Sequence, residues 1–162
     1  MKTTGLPPKP HRILQVRQRH DLPQIHLPQL RKILLRFLNH HLGLTSFELG
    51  IHLVREDRMT HINQHFLQHE GSTDVITFDY RDDTPSVELA GECYICPAVA
   101  MIQAGQFGSS YPEEILRYCV HAILHLRGYD DLEPVARRKM KIAENRWIKT
   151  LSSETELTCL LR

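Results

Sequence analysis

No apolar run in this sequence approaches the length of a membrane span. The opening residues, MKTTGLPPKPHR, carry an isolated lysine and then prolines where a secretory leader needs a continuous apolar stretch. Neither secretion nor membrane insertion is expected. Cysteine is scarce, four in 162 residues, which is too few for a disulfide scaffold and points to a reducing, cytoplasmic setting. Net charge is nearly absent at +1, and with 41% apolar and 24% charged residues the chain is not one that stays disordered throughout. What is present in excess is histidine, eleven residues.

The small net charge conceals a pattern. Residues 1–56 carry +6, residues 57–94 carry −6, residues 95–133 carry −3 and residues 134–162 carry +4. Basic ends therefore flank an acidic middle, and basic surface is a fitting footprint for phosphate backbones, although linear blocks can scatter in space. The length suits one domain with a substantial apolar core.

Periodicity predicts the elements. After Pro7, Pro8 and Pro10, the segment 12–17 reads as a short strand. Leu30, Ile33, Leu34, Phe37 and Leu38 recur at helical spacing behind Pro28, with Gly43 past the end. Residues 47–53 alternate as a half-buried strand. Met59, Ile62, Phe66 and Leu67 restore helical spacing before Gly71, and strands are predicted at 73–78 and 88–96. From Pro97 onward the pattern is helical. A helix is expected over 98–106, and Ser110 with Glu113 forms a capping box that starts another at Tyr111, running to Gly128. Ala136, Met140, Ala143 and Trp147 define a last amphipathic helix. Residues 1–150 are expected to form a single domain of α+β class, a sheet of about four strands packed by about five helices. The tail, 151–162, shows no clear period and is expected to fray.

The segment HAILHLRGYDD, residues 121–131, carries the chemistry. His121 and His125 lie four apart on a helix and so share a face from which both reach one ion. Gly128 allows a left-handed reversal that brings Asp131 back toward them, placing the metal site on a helix and its following loop. Two histidines at this spacing arise by chance in a histidine-rich chain, and Asp130 with Glu133 at capping-box spacing could simply start the helix near Pro134. The combination His-x3-His-x2-Gly-x2-Asp, however, matches the ligand spacing of an extended zincin. Three protein ligands leave a fourth position open, as in catalytic rather than structural zinc sites. The peptidase form of the motif has Glu after the first histidine as its base, and here that position is Ala122.

Cys93 and Cys96 form a C-x-x-C pair, but residues three apart on a strand point to opposite faces, so core packing is the better reading. Cys119 points away from His121 around the helix and is also expected in the core. His65 and His69 repeat the i, i+4 spacing without a following Gly or third ligand, and are read as solvated or substrate-facing.

HAILHLRGYDD resembles the pattern H-G-x-L-H-L-x-G-Y-D-H of the bacterial rRNA maturation factors of the YbeY type, which are metal-dependent endoribonucleases. The likeness extends to Ile62-Asn63 with Phe66, to Ser72-Thr73-Asp74-Val75-Ile76-Thr77-Phe78, and to Gly91-Glu92 with Ile95, covering about 47–147. The resemblance implies a small α+β domain, one zinc or other divalent ion on His121, His125 and Asp131, and 16S rRNA 3′-end maturation and ribosome quality control as the task. Its implied partners are ribosomal RNA and the small ribosomal subunit. Two departures stand out. The family's third histidine is Asp131, which lowers the charge of the site and suits iron(II) as well as zinc. The family's arginine after the upstream aromatic is Leu67, which completes an apolar face with Met59, Ile62 and Phe66.

The alternatives are a ribosome-assembly or RNA-binding factor whose metal is structural, and a metallopeptidase, which Ala122 disfavours. If RNA is the partner, Arg137, Arg138, Lys139 and Lys141 should contact phosphates near the metal; consecutive helical positions splay around the axis, so a solvated face is the competing reading.

Overall fold

The computed structural model describes residues 10–67 and 73–162; Pro7, Pro8, His69, Gly71 and Ser72, singled out above, lie outside them. The chain runs β1 (Arg12–Gln18), α1 (Leu27–Arg36), β2 (Phe47–Leu53), α2 (Glu56–Phe66), β3 (Val75–Asp79), β4 (Leu89–Ile95), α3 (Pro97–Phe107), α4 (Tyr111–Leu126) and α5 (Pro134–Glu154). Among the described residues, four strands and five α-helices make an α+β fold, as the periodicity predicts. A π-helical turn, Phe37–His41, extends α1 and delivers Phe37 and Leu38 fully into the core before Gly43 reverses the chain at φ 64°.

The strands form one sheet in the order β1-β2-β4-β3. β1, β2 and β4 are parallel, with Leu14 opposite Leu49 and Leu49 opposite Gly91, whereas β3 runs antiparallel on the outer side of β4. β1, α1 and β2 thus make a crossover unit, with the buried stripe Leu30, Ile33 and Leu34 of α1 in the core. On β4, a side chain at Gly91 would meet the carbonyl of Phe78 and, at 3.0 Å, both methyls of Leu126. Glycine there lets α4 lie directly on the sheet.

Helix α4 is the centre of the molecule. Ser110 accepts a hydrogen bond from the Glu113 amide at 3.3 Å, satisfying one of the free donors of the first turn, with Pro112 beside it in that turn. The helix then packs against β3, β4, α3 and α5. Eleven of its sixteen residues are buried, and the five that are not are Tyr111 and the evenly spaced Glu113, Arg117, His121 and His125. Steps of four residues keep those four on one stripe. Burial everywhere else therefore leaves a single usable face, and His121 and His125 occupy it.

The expected frayed tail is corrected. α5 continues to Glu154, a short 3₁₀ turn follows over Leu157–Leu160, and Leu151 and Leu160 are buried. The amide of His26 donates to the carbonyl of Leu160 at 2.9 Å, and Ile25 bridges Leu161. Single apolar anchors and backbone bonds hold this segment, a mode of attachment that leaves no periodic signal in sequence.

Candidate metal centre

Helix α4 ends in a cap that shapes the site. Gly128 has φ 98°, its amide donates to the His125 carbonyl at 2.9 Å, and the Tyr129 amide donates to the Leu124 carbonyl at 3.0 Å. This pair of bonds is a Schellman motif, which needs the left-handed residue that glycine supplies at least cost. The reversal turns the Tyr129 carbonyl onto the His125 ring, 3.0 Å from Nδ1. On the same stripe, His121 Nδ1 lies 3.0 Å from Oε2 of Glu144, a buried carboxylate from α5.

These two contacts fix the tautomers. A carbonyl and an ionised carboxylate can only accept, so both rings donate from Nδ1 and present a lone pair at Nε2. The two Nε2 atoms are 3.0 Å apart, and Oδ2 of Asp131 is 3.4 Å from each. Three acceptors thus converge on one point, an arrangement that a shared proton or a cation must stabilise. Tetrahedral bonds of about 2.0–2.1 Å set ligand atoms about 3.3–3.4 Å apart, close to the spacing seen. Among the described residues, His121, His125 and Asp131 are the group placed to hold a metal ion, and their donor set fits one.

Burial pulls the His121 pKa down, but the hydrogen bond and charge of Glu144, then the charges of Asp74 and Asp131, outweigh it and leave the ring above its ordinary 6.5. Burial likewise pushes Glu144 up, yet His121, Lys141 and Arg117 together hold it below the usual carboxylate range. Arg117, one turn before His121, donates to Glu144 at 3.1 Å, to Asn145 at 2.7 Å and to Glu113 at 3.2 Å. The stripe is therefore a linked row in which Arg117 neutralises the carboxylate that orients His121.

Glu144 and Arg117 escape the sequence reading, though signals for both exist. Arg117 precedes His121 by the same four residues that separate the histidines, and Glu144 adjoins Ala143 on the apolar stripe of the last helix. The predicted cations divide. Arg137 and Lys141 line a cavity of about 560 Å³ that also includes His121 and Asp131, Lys139 lines a separate surface pocket with Arg127 and Tyr129, and Arg138 is exposed. The four do not share one surface, because successive helical residues turn by about 100°. Arg137 also donates to the carbonyls of Asp131 at 3.1 Å and Leu132 at 3.2 Å, bracing the ligand loop.

Asp130 does not cap α5; its Oδ1 accepts from the amides of Asp131 and Leu132, closing a turn within the ligand loop. Cys93 lies in the main core and Cys96 in the separate cluster under α2, so they share no site, and burial pushes the Cys93 thiol up to about 12. Cys119 is fully buried. His65 is exposed and stacks on His61 with ring centroids 3.9 Å apart. Leu67 does not complete an apolar face: Phe66 and Leu67 are 65% and 39% exposed, because the buried stripe of α2 is Met59, Ile62 and Asn63 and the helix ends at Phe66.

An α+β domain gathers two imidazoles from a central helix and a carboxylate from the loop behind its glycine cap, a group that could hold a metal ion in an open cleft. Residues 13–152 match the family described as Endoribonuclease YbeY, and the chain belongs to that family. It is 28% identical over 152 residues to Endoribonuclease YbeY of Salinibacter ruber, covering 90% of this chain and 96% of that one. It is 37% identical over 110 residues to Endoribonuclease YbeY of Frankia alni, an alignment spanning 61% of this chain and 60% of the relative. The solution structure of TM1509 from Thermotoga maritima shares the fold, with a TM-score of 0.63, 23% identity, and coverage of 88% and 91% of the two chains. Among the described residues, no helix is long and apolar enough to cross a membrane.

Proposed function

We propose that this protein is a metal-dependent endoribonuclease that acts in 16S rRNA 3′-end maturation and ribosome quality control, with the small ribosomal subunit as partner, the cytoplasm as compartment and zinc on His121, His125 and Asp131. The observation that carries the reading is the convergence of two imidazole lone pairs and a carboxylate, each ring locked by a donor bond from its other nitrogen. When bound, a divalent ion there supplies a Lewis acid for phosphodiester chemistry. The protein's own part is orientation and charge. Glu144 and the Tyr129 carbonyl fix the two rings, and Asp131 leaves the loaded site at about +1, still attractive to a phosphodiester anion. Arg137 and Lys141 add positive charge on the same cavity.

Peptide hydrolysis is disfavoured on packing as well as chemistry. Ala122 is fully buried, so position 122 faces the core and not the cleft. A non-catalytic RNA-binding role is favoured by one observation, the exposed Leu67 in place of an arginine. One experiment separates the readings. Single-stranded RNA bearing the 3′ end of small-subunit rRNA should be cut by purified protein, spared after chelation and cut again on adding zinc. RNA bound but intact under all three conditions would select the non-catalytic reading, and elemental analysis of the same sample identifies the ion.

A further inference from the structure

Hydrolysis of RNA needs a group to accept a proton from the attacking water, and the position that carries one in zincins is the buried Ala122. Five carboxylates line the cavity beside the metal ligands: Asp74, Glu113, Glu114, Asp131 and Glu144. Four are engaged. Asp131 faces both imidazoles. Glu144 spends one oxygen on His121 and the other on Arg117 and Lys141. Glu113 and Glu114 both pair with Arg117. A carboxylate held by a cation is stabilised in its charged form and takes up a proton poorly.

Asp74 differs. Among the described residues it has no cationic partner; its Oδ1 accepts from the Val75 amide at 2.9 Å and the Thr73 hydroxyl at 3.1 Å, which leaves Oδ2 uncommitted. Its position is rigid, because the Cys96 amide donates to its carbonyl at 3.0 Å and it stands at the head of β3, a strand packed on α4. It lines the same cavity as His121 and Asp131, beside Tyr118 of α4.

We propose that Asp74 is the general base of RNA cleavage, a role that rests on the nuclease reading above. Water in the cavity attacks phosphorus. Its oxygen forms the new P–O bond while one of its protons passes to Oδ2 of Asp74. The P–O bond to the leaving ribose oxygen breaks, and that oxygen takes a proton, returned by Asp74 through solvent. One phosphomonoester end and one hydroxyl end result, with no oxidant or co-reactant.

The test compares wild type with Asp74→Asn in single-turnover cleavage of a labelled single-stranded RNA, alongside metal content by elemental analysis and RNA affinity by anisotropy in chelator. The expected result is a rate loss of roughly a hundred- to ten-thousand-fold with metal content and RNA affinity unchanged. Formate should restore part of the activity of Asp74→Ala by occupying the space of the lost carboxylate, a rescue that a purely structural residue would not show. Cleavage by Asp74→Asn within threefold of wild type overturns the assignment, as does loss of metal or RNA binding in that variant, or a 2′,3′-cyclic phosphate product from wild type. Wild-type protein that binds metal and RNA but cuts nothing refutes the nuclease reading itself, and the base assignment with it.

Discussion

Replacing Glu144 with Gln tests whether the buried carboxylate of α5 tunes the metal centre or merely fills space. The substitution keeps size and shape but removes the charge facing His121 Nδ1 at 3.0 Å. A hydrogen bond to a charged partner contributes about 1.5–3 kcal/mol and one between neutral groups about 0.5–1.5 kcal/mol. The change therefore withdraws about 1–1.5 kcal/mol of support from the His121 ring, and with it basicity at Nε2. At about 1.4 kcal/mol per tenfold, metal affinity should fall roughly tenfold, at the low end of the range for groups that orient metal ligands. Competition against a chromophoric chelator at neutral pH measures it. Glu113→Gln is the control, since Glu113 touches Arg117 but neither histidine. An affinity for Glu144→Gln within twofold of wild type, or an equal loss in the control, would refute the reasoning.

Gly128→Ala forces a side chain into a left-handed turn at φ 98° and should cost about 1–2 kcal/mol in urea unfolding while also weakening metal binding through the displaced Tyr129 carbonyl. A stability loss with undiminished metal affinity would separate the cap from the site. Asp131→His raises the site charge and should tighten zinc and speed RNA cleavage; elemental analysis showing less bound zinc would mean the loop geometry is specific for a carboxylate. Arg137→Ala/Lys141→Ala should lower the slope of log binding constant against log salt by up to about two units on any RNA sequence, and an unchanged slope would remove this cavity from the RNA path. Glu88, held below its ordinary 4.5 by the Thr45 hydroxyl and then by the amides of Thr45 and Ser46, stabilises the fold above that value and loses its contribution as pH falls through the lowered one. Thermal melts of wild type and Glu88→Gln should accordingly diverge at neutral pH and converge in strong acid.

What could be read from sequence was whatever has a fixed spacing. The i, i+4 pair and the glycine reversal are local geometry, so the convergence of His121, His125 and Asp131 is expected from eleven residues alone. The carboxylate of Glu144 lies 23 positions away from the ring it orients, and only the packing of α5 on α4 brings the two together. Leu67 illustrates the opposite error. Helical spacing suggests burial, but the helix stops one residue earlier and the leucine is left outside. The carboxy-terminal segment fails for a related reason, since two isolated anchors are below what any periodicity can register.

The three residues that could hold the metal are anchored unequally. His121 and His125 ride on a helix surrounded by sheet and helices, so neither can shift without disturbing the core. Asp131 stands on a short loop between a glycine cap and the next helix, held by side-chain and backbone bonds that small rotations can absorb. Tolerance to exchange of ligand type is thus concentrated at the loop position, where a carboxylate can take the place of an imidazole by a local adjustment. Exchange at either helix position would instead have to be accommodated by the packed core around it.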